Sequence, residues 1–162
     1  MDKVLPTIIV VAVILLAFVG MFAGWRARAA RQRDIPRPPE PPTIVSESRA
    51  AADGLYVATT LADQPLERVA VRGLGFRSRA TITVTDEGLI LELTGQNPVF
   101  IASAAILNVD RSSWVIDKGV EPGGLLRIAW RLGETDVDSY LRLDNSTETV
   151  LSVASTLVGG TR

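Results

Sequence analysis

The order of apolar and polar positions divides the chain into two regimes. From Val4 to Trp25 (VLPTIIVVAVILLAFVGMFAGW) no residue is charged, and only Pro6, Thr7, Gly20 and Gly24 interrupt the apolar run. At about 1.5 Å rise per residue this stretch makes a helix of roughly 33 Å, enough to cross a ~30 Å hydrocarbon core. It is longer than the roughly 10–14 apolar residues of a buried core helix and the roughly 7–15 of a cleaved signal peptide. It ends in Trp25 and Arg26, an interfacial aromatic ahead of a basic cluster, and Ala27-Arg28-Ala29 puts an arginine where a cleavage site wants small residues. The pattern predicts one retained transmembrane helix over 4–25, with residues 1–3 as a short tail. Gly20 and Gly24 have the GxxxG spacing that lets two such helices approach and form a homodimer. The plainer reading is that glycine is common in membrane helices.

After the helix the pattern breaks. Residues 27–34 can continue it for two turns, and then five prolines fall between Pro36 and Pro42. Proline removes the backbone donor and disfavours helix before it. Residues 26–53 therefore read as a basic collar and a stiff, extended linker. It would stand a domain off the bilayer, or offer a PxxP ligand through Pro36 and Pro39 or Pro38 and Pro41. From Gly54 the period becomes two. Leu55, Val57 and Thr59 face one side, with Tyr56 and Ala58 on the other. A loop holding Gln64-Pro65 leads to a short edge segment over 69–71 and a turn at Gly73–Gly75. Ala80–Val84 and Leu89–Leu93 form a hairpin about Asp86-Glu87-Gly88. A short strand follows at Val99–Ile101, then a bend over 102–105, and strand residues over 106–110 and 113–117. Leu126, Ile128 and Trp130 oppose Leu125, Arg127, Ala129 and Arg131, and Val137–Leu143 returns after Gly133-Glu134. The last element is helical. Asn145 would cap it with Glu148 completing a capping box, Val150, Leu151, Val153, Ala154, Leu157 and Val158 form its apolar face, and Gly159-Gly160 ends it.

Charge orients this layout. Residues 1–42 hold six basic and three acidic side chains, and the remainder eleven and fifteen. Arg26, Arg28, Arg31 and Arg33, followed by Arg37, lie on the C-terminal flank of the helix, so the positive-inside rule puts the domain in the cytoplasm and the N-terminus outside. Anionic headgroups of the inner leaflet hold such arginines at about 1 kcal/mol each. A mildly acidic domain is a poor partner for nucleic acid.

The 162-residue chain contains no cysteine and no histidine. That excludes disulfides, zinc-thiolate sites and cysteine nucleophiles, the commonest general base, and every Ser-His-Asp arrangement. Asp136 and Asp138 share a strand face, but no glycine and distal glutamate complete a calcium loop. Lys118 has no assignable base or apolar pocket. The glycines match neither a P-loop nor a dinucleotide fingerprint. Trp114 and Trp130 suit core packing better than binding hot spots. No catalytic, metal or cofactor site is expected.

About seven strands in successive hairpins, closed by one amphipathic helix, resembles the pleckstrin-homology (PH) order over residues 54–160. Anchor, arginine collar, proline linker and PH-like domain together resemble a family of small actinobacterial single-pass membrane proteins. The resemblance implies seven antiparallel strands in two near-orthogonal sheets, capped at one end by the helix. Arg77-Ser-Arg79 matches the [KR]-x-R part of the lipid-binding pattern of PH domains, with Arg68 and Arg72 upstream. The lysine of the first strand is missing, as Leu55–Leu61 holds no base, and the final helix has no tryptophan. Arg68, Arg72, Arg77 and Arg79 are thus candidates for anion or lipid contact, set against a plain solvated cluster. The expected function is a non-enzymatic, plasma-membrane-anchored interaction or scaffold module with a protein partner. The alternatives are an accessory subunit of a transporter or envelope complex, and a module contacting anionic lipid.

Overall fold

The computed structural model describes residues 4–31, 35–69, 73–112 and 124–158. Arg33, Arg72, Trp114, Lys118, the strand segment expected at 113–117 and the Gly159-Gly160 stop lie outside them. The chain divides into two compact units, Met1–Asp34 and Ile35–Arg162.

The first unit holds α1, Val4–Arg31. Its segment Val4–Ala27 has a mean hydropathy of 2.9 and buries none of its side chains. A helix apolar on every side and covered on none is unstable in water and suits a lipid or protein cover.

The second unit is a sheet with one helix. Its strands are β1 (Ala50–Leu61), β2 (Gln64–Arg68), β3 (Ser78–Val84), β4 (Gly88–Leu93), β5 (Val99–Ala102), β6 (Ile106–Ser112), β7 (Leu125–Leu132) and β8 (Thr135–Leu143). The helix α2 is Thr147–Ser155. The strand order is β5-β4-β3-β1-β8-β7-β6, with β2 paired to β1. Every pairing is antiparallel. This is the mainly-β PH-like architecture with its C-terminal helix. The two groups of strands share β1, whose first half pairs β3 and whose second half pairs β8. Gly54 sits where the strands meet. A Cβ there would lie 2.3 Å from the Arg142 carbonyl oxygen, so no larger residue fits.

The core follows the alternation. Ile82, Leu89, Leu91 and Ile101 come from one half, and Leu126, Ile128, Trp130, Val137 and Leu141 from the other. Val150, Ala154 and Leu157 of α2 close it, as the helical spacing predicts.

Four expectations change. First, β1 does not keep one period. A bulge between Tyr56 and Ala58 makes Val57 the extra residue, so Thr59 joins Tyr56 on the core side and leaves Val57 on the other. Second, the loop expected at Gln64-Pro65 is the strand β2, since Thr60 opposes Arg68. Third, Ser146 and not Asn145 is the N-cap of α2. Its φ of 61° is left-handed, its side chain makes no cap bond, and Glu148 turns away to Arg111, so no capping box forms.

Fourth, the proline-rich segment is no free spacer, and the domain begins before Gly54. Residues 35–49 form a strap fastened along the second unit. Ile35 is buried in the core cluster. Pro36 packs so closely on Gly133 that a Cβ there would meet it at 2.7 Å, and the turn's φ of 65° also requires glycine. The Phe100 N–H donates to the Pro39 oxygen at 2.8 Å, and Asn97 Nδ2 to Glu40 Oε1 at 3.2 Å. Ser46 donates through both its backbone N–H (3.1 Å) and its hydroxyl (2.7 Å) to the Glu87 carboxylate. Proline gives up donors but keeps a carbonyl, which is what an unpaired edge N–H needs.

Candidate functional site

Two surfaces present themselves, a groove beside the strap and the loops carrying the arginines. The groove has a volume of about 490 Å³. Arg37, Pro38 and Glu40 of the strap form one wall, and Leu93, Gln96, Asn97, Pro98 and Val99 of the β4–β5 connection form the other. The lining is mixed: apolar Pro38, Leu93, Pro98 and Val99, the Arg37 guanidinium, and the hydrogen-bonded Glu40 and Asn97. Gln96 Oε1 is buried without a hydrogen-bond partner. Such an atom is an acceptor awaiting a donor. Strong anion recognition is not built in, because Glu40 offsets Arg37. The groove suits a peptide-like ligand with backbone donors and acceptors better than a phosphate.

Of the four loop arginines, Arg68, Arg77 and Arg79 are described, and Arg68 and Arg79 lie apart along the sheet. Arg79 lies opposite Leu55 on β1, whereas Arg68 lies opposite Thr60. Five residues of strand separate those positions by roughly 16 Å, too far to grip one headgroup together. Arg79 also donates to Asp144 at 2.9 Å. Arg77 is exposed just ahead of β3, and Arg68 is exposed at the end of β2. Nearby chain excursions carry exposed Leu66 and Phe76, at 82% and 74%. In the first unit Arg26 is exposed, and Arg28 and Arg31 lie within α1. At Gly20 and Gly24 an added Cβ would meet nothing within 4 Å.

The carboxylate pair is separated by its partners. Asp136 accepts from Arg131 at 2.7 Å, and that hydrogen bond lowers its pKa. Asp138 is buried 3.6 Å from Arg127 Nη1, and burial raises its pKa against the pull of that guanidinium. Arg127 itself grips Asp110 with two bonds, at 2.8 and 2.6 Å, which raise its pKa further. Among the described residues no group of three or more acidic, histidine or cysteine side chains could hold a metal.

Inside the core a chain of hydroxyls was not legible in the sequence. Trp130 Nε1 donates to Ser139 Oγ (2.9 Å), Ser139 Oγ meets Thr59 Oγ1 (2.7 Å), Thr59 Oγ1 meets the Tyr56 hydroxyl (2.6 Å), and Tyr56 donates to the Leu74 oxygen (2.9 Å). The ends fix its direction. The indole is only a donor and the carbonyl only an acceptor, so Ser139 donates to Thr59 and Thr59 to Tyr56. Every member is satisfied, and burial pushes the Tyr56 hydroxyl far from ionisation. This places Trp130 in the core, as expected, and gives the chain a structural role.

The sequence signals for the strap were Ile35, an apolar residue in an otherwise polar and proline-rich run, and the turn acids Asp86-Glu87. A family model described as bacterial PH domain-like matches residues 35–156. Its first residue is also the first of the strap. No curated protein matches the chain.

Proposed function

Because the chain belongs to the bacterial PH domain-like family, we propose that it is a membrane-anchored, non-enzymatic binding module whose domain faces the cytoplasm and recruits a protein partner. One observation carries the reading: a PH-like domain follows a helix whose residues 4–25 carry no charge and are uncovered. PH-like domains are generally non-catalytic, and the chain has no histidine and no cysteine, the commonest general base and a common nucleophile. The arginines that follow the uncharged stretch, from Arg26 on, favour the cytoplasmic side for the domain. A retained anchor is tested by the mass of the mature chain, and orientation by protease added to intact cells. Expected are an intact N-terminus and a protected domain. Loss of the first thirty residues, or digestion of the domain from outside, would overturn the reading. In vivo crosslinking then asks for a partner that disappears when residues 35–162 are deleted.

The exposed Leu66 and Phe76 near Arg68 and Arg77 favour a second reading, in which β2 and the segment ahead of β3 touch anionic lipid. Flotation with anionic and neutral vesicles tests it. Binding that survives Leu66→Ser with Phe76→Ser would remove these residues from any such contact.

A further inference from the structure

We propose that the β5 edge and the groove beside it form a docking surface for an extended polypeptide segment, which residues 35–49 occupy in cis. The inference rests on the reading of the domain as a binding module and names the partner chemistry of that surface.

Among the described residues β5 is the last strand on its side of the sheet, with β4 as its one strand partner. On its open side the Phe100 N–H is taken by the Pro39 oxygen. That is the first hydrogen bond of a strand addition, made by a segment unable to complete the ladder. Pro36, Pro38, Pro39, Pro41 and Pro42 have no N–H to return. The strap thus protects the edge without fully pairing it, a known means of blocking edge-to-edge association. Gln96 lines the groove it walls, and its Oε1 is buried without a hydrogen-bond partner.

Most of the strap's attachments are polar and at the surface, among them the Arg49 N–H to the Val84 oxygen at 2.8 Å and the Asp86 N–H to the Ser46 hydroxyl at 3.1 Å. Ile35 is its buried apolar anchor, and the Ser46–Glu87 clasp fastens its far end on the surface. Between them Ile44 is 87% exposed. Segments with few buried contacts open at low cost. An incoming extended segment with an apolar residue for the Ile35 slot, and with N–H groups where the strap has prolines, makes the same contacts and adds ladder bonds. The opposite end of the sheet is less suited to this. There β6 has a bulge at Leu107, between Ile106 and Asn108, and Arg111 is engaged by Glu148 of α2.

The test uses the full chain in nanodiscs and amide hydrogen exchange. Ile35→Ser with Ser46→Ala weakens the strap and leaves the docking surface unchanged. Exchange at the Phe100 amide should rise about tenfold or more while the Leu141 amide of β8 stays protected. A synthetic peptide of residues 35–49, added in excess, should restore protection at Phe100. Unchanged exchange at Phe100 in the double variant would overturn the proposal, and so would failure of the peptide to restore protection. If the double variant loses protection at Leu141, Glu87→Gln, which alters only exposed atoms, replaces it and must also speed exchange at Phe100. Because the readout is one amide, failure here leaves the module reading standing, whereas absence of a cellular partner bears on that reading alone.

Discussion

Ser139 and Asp138 are neighbours on β8, and both are buried, yet their two faces solve burial differently. On the core face Ser139 belongs to a neutral chain from Trp130 to the Leu74 carbonyl in which every hydroxyl donates and accepts. On the other face Asp138 lies with Thr60, Tyr140, Arg127 and Asp110. That face is incomplete. Arg127 commits its two short bonds to Asp110, and Thr60 Oγ1, fully buried, makes no well-formed hydrogen bond. The contrast shows that burial alone does not set what a polar side chain contributes. A closed neutral chain specifies the packing at little electrostatic cost, while a charged group in the same strand depends chiefly on the Arg127 guanidinium, with Tyr140 as a second partner.

The comparison breaks most visibly on the charged face. Arg127→Ala leaves Asp110 and Asp138 facing each other without a cation. Removing one partner of a fully buried pair costs about 3–5 kcal/mol. The Arg127 side chain is 32% exposed, so solvent screening reduces the expectation to about 2 kcal/mol. The urea midpoint of the second unit measures it, and a loss below a few tenths would mean the guanidinium is not needed there. Next comes the neutral chain. Ser139→Ala orphans the indole N–H and should cost about 1–2 kcal/mol. Smaller is the coupling along the chain. Tyr56→Phe and Ser139→Ala both act on Thr59, so the double variant should depart from additivity by about 0.5–1 kcal/mol. Strict additivity would show that the two ends do not communicate.

The core face was legible in the sequence where period two held. Ile82 with Val84, and Leu126 with Ile128 and Trp130, fall inward as the alternation requires, and the apolar spacing of α2 identified its buried face. It failed at Thr59, because a single extra residue at Val57 reverses the side of everything after it. No local composition marks that bulge, so the hydroxyl chain, which joins residues up to 80 apart, was invisible. The strap was misread for a related reason. Proline content argues for an extended backbone, but extension says nothing about whether a neighbouring edge has an N–H to offer. The loop arginines were picked out by motif, and the register sets two of them, Arg68 and Arg79, five residues apart along β1. Charge pattern identifies residue types, and only strand pairing decides which of them meet.

The smallest expected effect sharpens the comparison most, since it depends on the sign of a charge and not on lost contacts. Asp138→Asn keeps the shape and should shift stability by less than about 1 kcal/mol at neutral pH. Its signature is in the pH profile. Burial raises the Asp138 pKa above its unfolded value, so between the two values the native state binds more protons than the unfolded chain. Stability from this group is therefore present at low pH and declines as pH rises through that window. Glu87, held down to about 2 by the Ser46 bonds, and Asp136, lowered by Arg131, act in the opposite sense: their contribution is present above their unfolded values and lost on acidification. Subtracting the Asp138→Asn profile from that of the native chain cancels those two and isolates Asp138. The difference should be largest in acid, fall as pH rises from about 4, and then level off. A difference that grew with pH would mean that the attraction of Arg127 outweighs desolvation, and the charged face would then be as well balanced as the neutral one.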